Sequence, residues 1–350
     1  MKEILSISLF SHPQLEGGIE AFNRNLKELF FPNMKIITKQ IKRKKIYKVS
    51  DIIEIKENKI FKILNKIFKD NLRKLIIRNI VKKINPEIII TSNFYELDCL
   101  KRINCKKILV QHFNYEVIKK SIPNNNLNEY LDYYIVLSPK DKKKFIEGFD
   151  LLEKKVKIIR HTCSIDIFKG KKEKNKKLVM ISRVDNRFKR FDLVIKAMKK
   201  LSDYTLNIYG DYNTEDDKIF LDGIIEQNKV TNVFFKGTTN KVQEKLDKSG
   251  IFIMTSDSEG YPISTIEAMR RGLPIVIRNT FESASDIVVD NKNGILLEKE
   301  WDEDKFVEAV KEVYNNYDYY SENAIKLGAR YNPEIIKKEW YKLLNEIKEN

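Results

Sequence analysis

Short β-branched apolar runs alternate with longer stretches of helical period along the whole chain. In the first half, the runs Ile4–Leu9, Glu87–Thr91, Lys107–Gln111, Tyr133–Leu137 and Lys157–Ile159 are bounded by polar or turn residues and predict strands. Between them, apolar positions spaced by three and four predict helices over Ile19–Leu29, Ile60–Ile84 and Asp141–Gly148. The second half repeats the rhythm, with strands expected at Leu178–Ser182, Thr205–Tyr209, Val233–Lys236, Ile251–Thr255 and Pro274–Arg278. Helices are expected there at Phe191–Leu201, Asp216–Gln227, Lys241–Ser249, Pro262–Arg271 and Asp304–Asn316. Regular β–α alternation implies parallel sheets covered by helices on both faces.

A chain of 350 residues is about twice an ordinary domain. The charged, aperiodic stretch at Phe168–Lys177 has linker composition and precedes a fresh strand. The expected division is therefore residues 1–168, residues 169–332 and a final helix in 333–350. Ligands of such sheets bind outside the carboxyl ends of the strands.

Charge changes the picture of the first half. Residues 1–160 hold 34 Lys plus Arg against 18 Asp plus Glu, whereas residues 161–350 hold 32 of each, so the whole net charge of +16 lies in the first half. An anionic partner or a Lys-rich solvated surface both fit that asymmetry. The segment 59–84 reads as one basic amphipathic helix, with Ile60, Leu64, Ile67, Phe68, Leu72, Leu75, Ile76, Ile80 and Ile84 on one side and lysines mostly on the other. Its stripe is expected to be buried in the domain, with insertion into an anionic membrane as the alternative. The three cysteines, Cys99, Cys105 and Cys163, form no CxxC pair and fit a reducing, cytoplasmic compartment. The N-terminus reads as a first buried strand rather than a signal peptide, and no apolar run reaches the length of a transmembrane helix.

Four segments carry candidate chemistry. The strongest is Ser256-Asp257-Ser258-Glu259-Gly260-Tyr261-Pro262-Ile263-Ser264-Thr265-Ile266-Glu267, directly after the apolar run Ile251–Thr255. Gly260 suits a tight turn, Pro262 suits the first helical turn, and Gly272 followed by Pro274 supplies a stop. Free N–H groups at that helix start attract phosphate. Glu267 would lie about 6–8 Å along the axis from the helix start. A nucleotide-sugar fits the line: sugar at Glu259, diphosphate at the helix start, ribose at Glu267. Second, Arg183 ends a buried run and Lys189 follows, two cations able to hold a diphosphate leaving group. Third, Glu16-Gly17-Gly18-Ile19-Glu20 opens a helix after the first strand, where glycines let backbone N–H groups approach an anion. Fourth, His112 follows the run Lys107–Gln111. There is no GxGxxG dinucleotide fingerprint, and no HExxH motif or Cys/His cluster for a metal, so no metal and no cofactor are expected.

Over the Gly-Gly loop to about Leu297, and most specifically over 178–297, the sequence resembles glycosyltransferase family 4. The features are Glu259 and Glu267 seven residues apart, Arg183 with Lys189, Tyr209-Gly210-Asp211, Val233-Phe234-Phe235-Lys236-Gly237, and Asp290-Asn291-Lys292-Asn293-Gly294-Ile295-Leu296. The resemblance implies a GT-B fold, two Rossmann-like domains facing a central cleft, with a C-terminal helix crossing back to the first. It implies a retaining, metal-independent enzyme using a nucleoside-diphosphate sugar, expected to be UDP-linked, in bacterial surface polysaccharide synthesis. Arg183 and Lys189 would hold the diphosphate, Glu267 the ribose and Glu259 the sugar. His112 would lie near the reacting sugar, Gly17 and Gly18 near the phosphates, and Lys236 and Gly237 near the base. Gly210, Gly260, Tyr261, Pro262, Ile263 and Ser264 complete the donor site. The acceptor would be a glycan or a lipid-linked glycan, with the enzyme cytoplasmic or peripheral on the inner face of the plasma membrane. The segments Arg160–Asp166 and Asn279–Ala284 depart from the family's Asn-Gly and Gly-Pro turns.

Two other readings remain open at this stage. A sugar-nucleotide epimerase would use the same diphosphate clamp but is disfavoured by the Glu-seven-Glu spacing. A basic nucleic-acid or membrane-binding protein would explain the charge, yet no nucleic-acid recognition motif occurs, so nucleic acid is not expected as a partner.

Overall fold

A computed structural model describes residues 3–15, 17–42, 45–101, 103–122 and 127–349. Glu16 of the Gly-Gly loop lies outside them. The chain divides into two compact units, Met1–His161 with Ile336–Asn350, and Thr162–Ile335.

The first unit holds seven strands: β1 (Ile4–Ile7), β2 (Lys35–Lys39), β3 (Ile52–Ile55), β4 (Ile88–Thr91), β5 (Lys106–Val110), β6 (Tyr133–Val136) and β7 (Val156–Ile158). They form one parallel sheet in the order β3-β2-β1-β4-β5-β6-β7. The helices are α1 (Gly18–Asn25), α2 (Lys59–Ile67), α3 (Asn71–Ile84), α4 (Phe94–Cys99), α5 (Tyr115–Ser121) and α6 (Pro139–Phe149). Central strands such as β1 and β4 are buried along their whole length, because helices cover both faces of a parallel sheet.

The second unit repeats the design. Its strands are β8 (Lys177–Ile181), β9 (Thr205–Tyr209), β10 (Val233–Phe235), β11 (Ile251–Met254), β12 (Ile275–Arg278) and β13 (Gly294–Leu297), all parallel in the order β10-β9-β8-β11-β12-β13. Its helices are α7 (Asn186–Lys189), α8 (Phe191–Ala197), α9 (Glu215–Asn228), α10 (Val242–Asp247), α11 (Ile263–Arg270), α12 (Ala284–Ile287), α13 (Glu303–Asn315) and α14 (Tyr317–Gly328). Leu178, Met180, Leu206, Ile208, Ile251 and Ile253 pack with Val194, Leu221, Phe306 and Val310 in one core. The last helix, α15 (Pro333–Glu349), packs into the first unit from Ile336 onward. Trp340 is buried against Phe22 and Phe31, and the Tyr341 hydroxyl donates to the Phe30 carbonyl at 3.2 Å.

The single helix expected over Ile60–Ile84 is two helices. Lys69 and Asp70 both take left-handed backbone angles, φ 46° and 65°, and end one helix before the next begins. Side chains hold the break: Asn65 donates to Asp70 at 2.5 Å and accepts the Arg73 backbone N–H at 2.8 Å. Of the expected stripe in α3, Ile76, Ile80 and Ile84 pack half-buried against the core and Leu75 is exposed, while the fully buried positions are Ile77 and Val81, which lie outside the expected stripe. In and beside α2 the stripe faces outward, with Ile60, Leu64, Ile67 and Phe68 exposed.

Candidate active site

In each sheet the strand order reverses once, between β1 and β4 and between β8 and β11. Loops leave in opposite directions at such a point and open a crevice outside the carboxyl ends of the strands. In the second unit those two loops carry Arg183 and Lys189 after β8, and Ser256 to Pro262 after β11.

Lys189 and Glu259 meet there, Nζ to Oε1 at 2.5 Å, and the Ser256 hydroxyl donates to the same carboxylate oxygen at 2.8 Å. Both side chains of the pair are mostly buried. The loops are tied together beneath them. Thr255 Oγ1 donates to the Lys189 and Arg190 carbonyls at 2.9 and 3.0 Å, and the Asp257 N–H donates to the Phe188 carbonyl at 2.8 Å. Asp257 in turn receives Arg190 at 3.1 Å and Arg278 at 2.5 Å, while Arg190 also donates to both carboxylate oxygens of Asp192 at 3.0 Å. The Asp192 bond raises the pKa of Arg190 most, against the next-largest effect, desolvation by burial, and the Asp257 bond adds to the rise. Arg190 and Arg278 are therefore committed to carboxylates. Arg183 is exposed, and its guanidinium makes no hydrogen bond or ion pair among the described residues. An incoming polyanion thus meets one uncommitted guanidinium and one ammonium shared with a carboxylate.

The helix after β11 starts one residue later than expected. Pro262 is the N-cap of α11 rather than its first residue: its backbone is extended, ψ 111°, and its carbonyl accepts the Thr265 N–H at 3.2 Å. Among the described residues no side chain caps this end, so the first N–H groups, of Ile263 and half-buried Ser264, remain for a ligand. Gly260 is buried, its carbonyl accepts the Ser283 hydroxyl at 2.6 Å, and it takes no positive φ. Tyr261 points inward: its hydroxyl donates to Asp286 and meets the Tyr331 hydroxyl, each at 2.7 Å. Burial pushes its pKa well up, so it is a neutral phenol. The side chains of Pro262 and Ile263 are also buried, leaving backbone as what these residues offer. Glu267 lies on α11, half-buried and close enough to Cys163 to help raise the thiol pKa to about 12, after the larger effect of burial.

Gly210 and Gly237 come together as an antiparallel bridge, the Gly210 N–H donating to the Gly237 carbonyl at 3.0 Å. Gly210 has φ 144°, and a Cβ there would lie 1.9 Å from the Ser182 carbonyl oxygen, so glycine is required by close approach. Lys236 beside them is exposed, its ammonium 4.7 Å over the Phe234 ring.

The remaining expected residues belong to the first unit. Gly17, φ 143°, is the N-cap of α1, and a Cβ on it would strike the Glu20 carboxylate; Gly18 begins the helix. α1 carries Phe22, whose ring meets His112 edge-on at 4.8 Å, and His112 stacks on His161 at 5.6 Å with 20° between planes. His112 is buried, and its Nε2 has no hydrogen-bond partner among the described residues. Burial, and secondarily the neighbouring His161, holds its pKa well below 6.5, so the imidazole is neutral at pH 7.

Several supporting residues escaped sequence reasoning. Asp257, Arg190 and Arg278 stand in or near the motifs, but their mutual pairing crosses from one loop to another. In the first unit Glu96 is fully buried at the switch point, accepting the Leu9 N–H at 2.6 Å and the Ser92 N–H at 2.8 Å. Burial pushes its pKa up to about 7.

Two doubly wound parallel sheets with a long C-terminal helix define the GT-B fold class. Residues 164–328 match the family described as glycosyl transferases group 1. An uncharacterized glycosyltransferase of Haemophilus influenzae is 26% identical, covering 77% of this chain and 79% of its own length. The poly(ribitol-phosphate) alpha-N-acetylglucosaminyltransferase of Staphylococcus aureus is 31% identical over 45% of this chain, which spans only 33% of that protein. Among solved structures, a Staphylococcus aureus TarM mutant in complex with Fondaparinux, alpha-GlcNAc-glycerol and UDP aligns with TM-score 0.64 at 25% identity, over 74% of this chain and 55% of that one. Anabaena Alr3699/HepE in complex with UDP and glucose aligns with TM-score 0.79 at 15% identity, over 99% of this chain and all of that one, and supports the whole-chain fold.

Proposed function

We propose that the protein is a retaining glycosyltransferase that moves a sugar from a UDP-sugar to a glycan or lipid-linked acceptor in bacterial surface polysaccharide synthesis. The observation that carries the reading is the paired cations at the β8–β11 switch point, Arg183 uncommitted and Lys189 on Glu259 at 2.5 Å, beside the uncapped start of α11. In the reaction the bond from the sugar C1 to the diphosphate oxygen breaks while the acceptor oxygen bonds to C1. Negative charge grows on the departing diphosphate, which can take up the proton that the acceptor hydroxyl loses. Arg183, Lys189 and the first N–H groups of α11 are held where such charge would be matched without reorganising solvent. Donor entry would draw Lys189 toward the diphosphate and leave Glu259 for the sugar hydroxyls. Glu267, farther along α11, would take the ribose hydroxyls, and the Gly210–Gly237 bridge with Lys236 would border the base. Neutral His112, with an acceptor nitrogen or a donor N–H to offer, would serve the sugar from the first unit, near the Gly17–Gly18 start of α1. TarM, with UDP bound, and a relative that is named for transfer of N-acetylglucosamine to a phosphate polymer support the donor and acceptor classes.

The test is a donor panel of UDP-, GDP- and ADP-sugars, scored by thermal shift and by nucleotide release with surface-glycan acceptors, with product anomers read by NMR. UDP-sugar turnover with the donor's anomeric configuration kept is the expected result. Epimerised free donor without transfer, or an inverted product, would overturn it.

A further inference from the structure

α2 is amphipathic in the wrong sense for a core helix. Of its described residues, the buried one is Asn65, a polar side chain bonded to Asp70 and to the Arg73 backbone. Its apolar residues face out: Ile60, Ile63, Leu64, Ile67 and the adjoining Phe68 are between 40% and 68% exposed. Scattered exposed leucines are ordinary, but five large apolar side chains within nine residues form a patch. Lys59, Lys62, Lys66 and Lys69 are interleaved with them and also exposed, and the sequence from 59 to 69 contains no acidic residue. The two nearest carboxylates on either side are paired to one guanidinium: Arg73 binds mostly buried Glu57 at 2.5 Å and half-exposed Asp70 at 2.9 Å. The fold thus neutralises the flanking acids and presents apolar tips ringed by ammonium groups.

We propose that α2 is a membrane-docking helix that lies in the headgroup layer of an anionic bilayer. Ile60, Ile63, Leu64, Ile67 and Phe68 enter the acyl boundary, and the four lysines contact lipid phosphates. Charge complementarity selects this occupant over a second copy of the chain, because a self-docked α2 would bring two such lysine sets together without an acid among them. A helix of this kind sinks about 5–10 Å, the depth that side-chain insertion gives. Each lysine near the surface strengthens partition about fivefold, the equivalent of about 1 kcal/mol. The inference deepens the proposed function, since a surface-bound enzyme would meet lipid-linked acceptors, but its geometry stands on α2 alone.

Co-sedimentation of the whole chain with phosphatidylglycerol-containing and pure phosphatidylcholine vesicles tests it, beside light scattering and UDP thermal shift on the same samples. The wild-type protein should pellet with anionic vesicles at low salt, lose that binding as salt rises, and ignore neutral ones. Ile63→Ser with Ile67→Ser should cut partition at least tenfold with all lysines kept, and Lys62→Glu with Lys66→Glu should abolish it. Both variants should keep the wild-type UDP shift, because no part of α2 belongs to the donor unit. Wild-type protein left in the supernatant at low salt overturns the proposal, as does equal binding to neutral vesicles. A dimer that the serine variant converts to monomer would assign the face to a second copy instead. A protein that docks on vesicles but shows no UDP shift would leave α2's role standing and refute the donor site alone.

Discussion

Arg183→Ala separates catalytic charge from structural charge at one switch point. The Arg183 guanidinium is exposed and makes no hydrogen bond or ion pair among the described residues, so its loss removes nothing that holds β8 to β11. Surface substitutions of that kind change stability by about 0.5 kcal/mol or less. If it matches charge on the departing diphosphate, its loss raises the barrier by about 2.7–4 kcal/mol, a hundred- to thousandfold in turnover. Arg190, seven residues on, is the internal control. It ties Asp192 and Asp257 together across both loops, and Arg190→Ala leaves two carboxylates short of a partner. With the side chain about one-third exposed, solvent screening reduces the cost, and a loss of about 1–2 kcal/mol is expected. Urea unfolding and steady-state UDP release on both variants read the two effects independently. Arg183→Ala should unfold like wild type and turn over at least a hundredfold more slowly. Wild-type turnover in Arg183→Ala would refute the clamp, and equal destabilisation by both substitutions would refute the division of labour.

Lys189→Ala should slow turnover as strongly as Arg183→Ala, and thermal unfolding of that variant should show a far smaller change than its kinetics. Activity should persist in excess EDTA, because side-chain cations and the α11 start supply the positive charge; a Mg-reversible loss would contradict this. Gly210→Ala should destabilise the second unit by about 3 kcal/mol, since its Cβ would overlap the Ser182 carbonyl, and calorimetry of the variant checks it. Burial lowers His161 to about 3 and His112 well below 6.5, so the unfolded chain binds protons there that the fold does not. Stability from these two groups is therefore present above about pH 6.5 and lost as pH falls, by about 1.4 kcal/mol per unit for each group. Glu96, raised to about 7, works oppositely between pH 7 and its ordinary 4.5, so the net slope is about one proton's worth; His161→Gln should flatten it in urea titrations at pH 5 and 6.

The β–α rhythm was legible because buried parallel strands are continuous apolar runs. The strands named from sequence at Ile4, Tyr133, Thr205 and Ile251 coincide with observed strands to within one or two residues. β2 and β3 escaped because Lys35-Ile-Ile-Thr-Lys39 and Ile52-Ile-Glu-Ile55 are short and carry charge near the sheet edge. β13 was read only as part of a turn, since Gly294-Ile-Leu-Leu297 follows the polar Asp290–Asn293. The motif residues Arg183, Lys189 and Glu259 were visible because a strand end followed by a glycine and a helix start is a local pattern. What sequence cannot carry is pairing across loops: the Asp257 link between Arg190 and Arg278, and the Glu96 bridge from β1 to β4, depend on strand order. The inverted face of α2 was hidden for a related reason. Apolar spacing gives a stripe, but only the turn at Lys69–Asp70 and the inward Asn65 decide which way it points.

The central claim is a UDP-sugar site at the β8–β11 switch point, and its most direct measurement is thermal unfolding against UDP, GDP and ADP, in wild type and in Arg183→Ala. A ligand at a hundredfold excess over its dissociation constant adds about 2.7 kcal/mol. The account predicts that stabilisation with UDP, less with GDP or ADP, and a clear reduction in Arg183→Ala. No shift with any nucleotide, or a UDP shift unchanged by removing Arg183, would contradict it.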